Sequence, residues 1–375
     1  MDRLQLSLAA ALICCISFAR EVPETVTPAS DSRITYVGRT LAEGDNVTFN
    51  WTAVYAKISF EGNYLALKAS DTKKNYYDIW VDRPAGAKAD RVVAISGKDS
   101  LYVLVDEELL KSIGMRAQKQ GSHNVIIKRR TEGEQGTTTF SGFVTKGNVL
   151  QAEGLKPRQF EVIGDSYTCG YGTEESVRTD PFLPETENSN LTYAAILARY
   201  FNADYFSIAH SGMGIARNYN DKLKGDYMPD RYLRVFDEEG GPEWKASESP
   251  FKPKVTIIYL CTNDFSCERQ PSLKSFKDNY IRLLKSIKAN YGEEHPVLCM
   301  ASRCDDLAAD YVREAARSCG LENVYFLGIT EMIHDNDSEL GASWHPNYKG
   351  HIKLAHSVIP YVSTITGWEI NDNIK

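Results

Sequence analysis

The sequence predicts an α/β protein in two parts, a β-sandwich of jelly-roll type followed by a three-layer α/β/α domain on a parallel sheet. Two patterns carry this expectation. From about Arg33 to Lys146, short alternating apolar segments are separated by turn residues, as in a sandwich or jelly roll. Beyond Arg158, buried-looking apolar runs alternate with helical stretches such as Leu191–Phe201 and Phe276–Ala289, the signature of a parallel sheet covered on both faces. The boundaries drawn are 1–19, 20–147, a linker at 148–157, and 158–375.

The first segment is an apolar run from Leu4 to Phe18 behind Arg3, with the small residues Ser17 and Ala19 at a cleavage position, and is read as a signal peptide. It is too short to span a membrane. The residue before Cys14 or Cys15 is Ile or Cys where a lipobox needs a small one, so lipoprotein anchoring is the weaker reading. A secreted or periplasmic location is expected. The strands expected next are Val47–Trp51, Ala56–Phe60, Tyr64–Lys68, Tyr76–Val81 and Ser100–Val105. Trp51, Tyr76, Tyr77 and Trp80 within them suit either a glycan-binding face or, as aromatics more often do, a core.

In the second part, Phe160, Val162 and Ile163 lead into Gly164-Asp165-Ser166 and a glycine-rich stretch ending at Gly172. A serine where a strand exits into a tight turn stands above the sheet edge, beside its own backbone N–H. Read so, Ser166 is a nucleophile; otherwise Asp165 and Ser166 merely cap a helix. Tyr205–Ala209 is a second strand, ending in His210-Ser211-Gly212, where Gly212 can bring a bare N–H close to a substrate oxygen. Val255–Leu260 is a third, running into Asn263 at the end where open α/β sheets gather ligands. Near the C-terminus, His345 precedes a helix-like run and is the natural base for Ser166, since imidazole moves protons near neutral pH. His351 is the rival base, read as a residue at the helix start.

A serine, a glycine, an asparagine and a histidine at strand ends, in that order, resemble the pattern of the SGNH (GDSL-type) hydrolases over about the last 220 residues, enough for a domain. With Arg158–Ser166, Gly121–Val125, Lys128-Arg129 and Phe140–Phe143, the chain further resembles carbohydrate esterase family 2, whose members join a β-sandwich to an SGNH domain. The resemblance implies a secreted enzyme that removes acetyl groups from plant cell-wall polysaccharides or oligosaccharides such as xylan and glucomannan. It implies Ser166 as nucleophile, His345 as base, Gly212 and Asn263 joining the Ser166 N–H in an oxyanion hole, and no cofactor. Trp344, beside His345, is expected to line the sugar site or to wedge its loop, and Tyr167 to border a small acetyl pocket. The insertion Asp221–Pro250 is a further candidate for lining that site.

The chain departs from the superfamily at Ala342, where most members carry an aspartate three residues before the histidine. Asp335, Asp337 and Glu339 lack that spacing and are read as solvated loop charges. A Ser–His dyad is therefore inferred, with a backbone carbonyl orienting His345. Two other readings stay open: a lipase or thioesterase of the same superfamily, and a glycan-binding protein without turnover.

A net charge of −7 without a basic stripe speaks against nucleic-acid binding. Cys169, Cys261, Cys267, Cys299, Cys304 and Cys319 permit either disulfides or buried thiols; none has the paired spacing of a metal site. A monomer is expected, with no membrane span.

Overall fold

The computed structural model describes residues 23–115, 121–221, 225–238, 240–301, 306–329 and 336–370. The proposed signal peptide, Cys304 and Asp335 lie outside the described residues. The N-terminal part holds β1 (Thr25–Pro28), β2 (Thr35–Val37), β3 (Leu41–Glu43), β4 (Asn46–Phe49), β5 (Tyr55–Glu61), β6 (Leu65–Val81), β7 (Arg91–Val105), helix α1 (Glu107–Ser112), β8 (Ser122–Arg129), β9 (Thr138–Thr145) and β10 (Val149–Leu150). All pairings are antiparallel, and the strands follow the order β10-β5-β8-β6-β9-β4-β3, with β7 also on β6. The result is the jelly-roll-like domain that the strand pattern predicts.

Tyr64–Lys68 and Tyr76–Val81, expected as separate strands, fall but for Tyr64 within the single 17-residue β6. The polar stretch between them reads as a turn. In the fold it is where β6 changes partner, pairing with β9 over Leu65–Asp71 and with β8 over Tyr77–Val81. Register shifts against β7, between Ala69 and Asp71 and between Asp71 and Lys74 of β6, supply the bend. Trp51, Tyr77 and Trp80 are wholly buried and Tyr76 nearly so, which makes them core residues.

The C-terminal part alternates β11 (Gln159–Gly164), α2 (Ser166–Cys169), α3 (Tyr193–Phe201), β12 (Asp204–Ala209), α4 (Met228–Arg231), β13 (Thr256–Tyr259), α5 (Leu273–Tyr291), β14 (Val297–Ala301), α6 (Leu307–Ser318), β15 (Val324–Gly328) and α7 (Tyr348–Thr366). Its five strands are parallel in the order β12-β11-β13-β14-β15. Because neighbouring strand residues face opposite ways, Phe160 and Val162 pack with Leu197, Phe201, Leu354 and Val358 of α3 and α7, whereas Ile163 and Ile258 pack with Leu283, Ile287 and Val312 of α5 and α6. Each fully buried aliphatic side chain contributes about 1.5–3 kcal/mol, so both helical layers are held mainly by these faces.

The two parts interlock through buried charges. Arg39 is buried between Glu161 of β11 at 3.3 Å and the Trp244 ring at 4.1 Å, and Asp204 of β12 accepts from Tyr55 Oη at 2.6 Å and pairs with Lys57 at 3.0 Å. No helix among the described residues is long and apolar enough to cross a membrane. The five described cysteines, Cys169, Cys261, Cys267, Cys299 and Cys319, are free thiols.

Candidate active site

Sheet register brings the expected residues to one edge. Gly164, the last residue of β11, lies opposite Ala209 of β12 on one side and Tyr259 of β13 on the other. The chain therefore leaves all three strands at the same level, and Ser166, Gly212 and Asn263 emerge side by side at their C-terminal ends. The connections from β11 run first to β12 and later to β13, the switch point at which such sheets hold ligands. Gly164 is required there, since a Cβ would come 2.0 Å from Thr168 Oγ1. Asp165 then caps α2 by accepting from Tyr167 N at 3.1 Å, and Ser166 takes the first helical position.

His345 meets Ser166 from the far end of the chain, its Nε2 2.8 Å from Ser166 Oγ and its Nδ1 2.9 Å from the Ser343 carbonyl. A carbonyl only accepts, so Nδ1 carries the proton and Nε2 is left to accept from the serine. This geometry depends on strained backbone. Ser343 and Trp344 have φ of +52° and +65°, left-handed values that cost a non-glycine residue about 1–3 kcal/mol. They are held by Ser343 N to the Asp180 carbonyl at 3.1 Å and Trp344 N to the Arg178 carbonyl at 3.0 Å. Asn347 anchors the other side, capping α7 through Lys349 N at 3.0 Å and donating to the Ser338 and Leu340 carbonyls.

Asp337 is exposed and ion-paired with Arg178. Glu339 corrects the reading of a solvated charge: it is buried and paired with Lys353 at 2.5 Å, because the loop folds back onto α7. His351 is buried in α7, where its Nδ1 accepts from Tyr193 N at 3.3 Å. Burial, with the neighbouring His345 charge, pushes its pKa down to about 3.

Gly212 has φ of +77°, and neither its N–H nor that of Ser166 has a hydrogen-bond partner among the described residues. Asn263 lies alongside, but both its amide hydrogens are in use, donated to the Met213 carbonyl at 2.9 Å and to Asp165 Oδ2 at 3.1 Å. Asp264 accepts from the N–H groups of Ile215, Ala216 and Arg217 at 2.7–2.9 Å, which fixes the loop after Gly212. Burial raises the pKa values of Asp165 and Asp264 to about 7.

Tyr167 is buried, its ring edge-on to His345 at 5.3 Å and to Tyr259 at 5.8 Å. Trp344 is 53% exposed beside His345, with the Arg178 guanidinium 4.0 Å from its ring centroid. Tyr171, which the sequence reading passed over, lies 4.4 Å from the His345 ring and stacks on Phe182 at 4.0 Å. Its place in the glycine-rich turn after Ser166 was the available signal. The insertion after Asp221 does not present Trp244 to a ligand, since that ring is buried against Phe206 and Arg39.

Behind Gly212 lies a cluster that sequence spacing could not reveal. His210 is buried with Nδ1 2.6 Å from Asp237 and Nε2 3.4 Å from Glu134, and Arg231 also reaches Asp237 at 2.8 Å. Glu132, Cys169 and Glu187 are all buried with their ligand-type atoms within 4.8 Å of one another. Burial, followed by neighbouring carboxylates, raises the pKa values of Cys169 and Glu187, and burial raises that of Glu132, which favours their protonated forms.

Two family models match the chain, the carbohydrate esterase 2 N-terminal domain over residues 36–152 and the GDSL-like lipase/acylhydrolase family over residues 162–352. The chain is 30% identical over 325 residues to the cellulase/esterase CelE of Acetivibrio thermocellus, matching 82% of this chain and 38% of that longer protein. It is 28% identical over 347 residues to an acetylxylan esterase / glucomannan deacetylase of Cellvibrio japonicus, covering 88% of this chain and 90% of that protein. Among solved structures, a family two carbohydrate esterase from Clostridium thermocellum in complex with cellohexaose superposes with a TM-score of 0.79 at 28% identity, over 90% of this chain and all of that one. The chain thus belongs to the GDSL-like lipase/acylhydrolase family, with an N-terminal domain of the carbohydrate esterase family 2 kind.

Proposed function

We propose that this protein is an exported carbohydrate O-acetyl esterase that releases acetate from acetylated xylan, glucomannan or their oligosaccharides through an acetyl-enzyme on Ser166. The observation that carries the reading is the Ser166–His345 contact of 2.8 Å, with His345 Nδ1 held by the Ser343 carbonyl at 2.9 Å. Likeness to acetylxylan esterases and a glucomannan deacetylase supports the acetyl group and the glycan.

Ser166 Oγ adds to the acetyl carbonyl as His345 Nε2 takes its proton. The oxyanion accepts from the N–H groups of Ser166 and Gly212, and Asn263 joins them by giving up its longer bond, the one to Asp165. Collapse of this intermediate breaks the ester bond, and His345 gives its proton to the departing sugar oxygen. Water, deprotonated by His345, then attacks the acetyl-enzyme by the same route and frees acetate and Ser166. The imidazolium formed at each step has a neutral carbonyl rather than a carboxylate behind it. Trp344 supplies an exposed aromatic face for the pyranose C–H groups, and Tyr167 borders the methyl pocket.

Acetate release from acetylated xylan and acetylated glucomannan tests the proposal, with a long-chain acyl ester as comparison. Wild type is expected to release acetate, and Ser166→Ala and His345→Ala each to lose about 10⁴-fold or more in turnover while remaining folded. Preference for the long acyl chain would favour a lipase. Glycan binding without acetate release would favour a binding protein.

A further inference from the structure

We propose that Glu132, from the N-terminal domain, is a positioning residue that sets the geometry between Ser166 and the Gly212 N–H, so that the β domain completes the active site. The inference rests on the roles given to Ser166 and Gly212 above.

Glu132 lies in the segment joining β8 to β9 and is buried. Its Oε2 accepts from Ser211 N at 2.6 Å, one residue before Gly212. The same oxygen accepts from Cys169 Sγ at 3.4 Å, and Cys169 closes the short helix α2 that begins at Ser166. One carboxyl oxygen therefore ties the helix of the nucleophile to the loop of the oxyanion glycine. Ser211 N lies in the peptide unit just before the one that carries the Gly212 N–H, so holding it at the Ser211 Cα hinge limits where the Gly212 N–H points.

The segment is built to hold that oxygen still. Arg129 is wholly buried and donates to the carbonyls of Thr131 at 2.7 Å, Glu132 at 2.8 Å and Gly136 at 2.6 Å. Glu134, two residues on, faces His210 at 3.4 Å, and Asn50 of the same domain accepts from Asp237 N at 2.8 Å. The loop His210–Gly212 is thus gripped by the N-terminal domain at consecutive residues. A displacement of about 1 Å at such a site can cost about 100-fold in rate.

The test compares wild type with Glu132→Ala and Glu132→Gln, reading kcat and KM on 4-nitrophenyl acetate, the unfolding temperature, and the rate at which a fluorophosphonate labels Ser166. Glu132→Ala is expected to lose about 10–100-fold in kcat with KM within about 3-fold of wild type. Labelling should slow in parallel, because phosphonylation needs the same oxyanion donors. Glu132→Gln keeps an acceptor oxygen and should stay within about 3-fold of wild type. If Glu132→Ala does not fold, Glu132→Asp replaces it; this variant keeps the carboxyl group but withdraws the oxygen by one methylene, and the same kcat loss is expected. Wild-type kcat and labelling in the folded variant, a loss confined to KM, or equal losses in the Gln and Ala variants would overturn the proposal. Labelling also separates it from the functional reading. A wild type that is labelled but releases no acetate discards the acetyl-esterase reading, while slower labelling of Glu132→Ala still upholds the role of Glu132.

Discussion

His210 and His345 stand on neighbouring loops at the same sheet edge, yet their surroundings are opposite. His210 is buried, 2.6 Å from Asp237, and neighbouring carboxylates raise its pKa well above the ordinary value despite burial. His345 reaches Ser166 through Nε2, with its Nδ1 on the Ser343 carbonyl. A histidine–carboxylate pair is commonly taken as the mark of a base. Here the paired histidine is favoured in its cationic form, which has no lone pair to take a proton, and its Nε2 faces Glu134. The histidine oriented by a neutral carbonyl keeps a lone pair aimed at one. What qualifies a base is the atom its free nitrogen faces, and a carboxylate partner is a secondary aid.

The comparison breaks most visibly under paired alanine substitutions. His345→Ala should cost about 10⁴-fold or more in turnover, with stability within about 0.5 kcal/mol of wild type. His210→Ala should instead cost about 3–5 kcal/mol of stability, since it leaves Asp237 buried with one cation fewer; thermal unfolding and turnover measured on both variants check this. A reversal of the two patterns would show the roles to be exchanged.

Restoring the superfamily aspartate is the next sharpest probe. Ala342 is wholly buried, and the ideal Cβ position at Gly172 lies 2.6 Å from its Cβ. Ala342→Asp is therefore expected to lose at least about 2 kcal/mol in chemical denaturation with no gain in kcat, because it forces a carboxylate into the buried space packed against Gly172. A faster enzyme would mean that the carbonyl is an inferior substitute.

His351 supplies a third environment, buried and neutral. Its pKa in the fold is pushed down to about 3 by burial and by His345, against an ordinary value of 6.5. Below about pH 6.5 the unfolded chain binds a proton there that the folded chain refuses until about pH 3, so this group lowers stability as pH falls through that window. The acid slope of the denaturation midpoint between pH 7 and pH 4 should flatten in His351→Gln; an unchanged slope would contradict it. The smallest effect is expected at Trp344, where alanine should raise KM on acetylated glycan about 2–10-fold and leave 4-nitrophenyl acetate turnover nearly unchanged.

Much of the sheet edge could be read from residues in line. Ser166, Gly212 and Asn263 each follow an apolar run, and an apolar run ending in small or polar residues marks a strand and its exit. His345 needed only a turn and a following helix. By contrast, Ser343 offers no side-chain signal, because its contribution is a carbonyl turned by a left-handed φ. Glu339 looked like one loop charge among several until α7 brought Lys353 to it. The polarity at the bend of β6 resembles a turn, although pairing with β9 and then β8 keeps the strand extended.

By itself the sequence determined the order of elements, the strand ends and the residue types available there, since these follow from local periodicity and turn chemistry. Only the tertiary structure decided which groups meet. Ser166 and His345 are 179 residues apart and Glu132 lies 79 residues before Ser211, so their contacts depend on strand order, register and the docking of one domain on the other. Those are collective outcomes of burying two sheets and their helices together, and no local pattern encodes them.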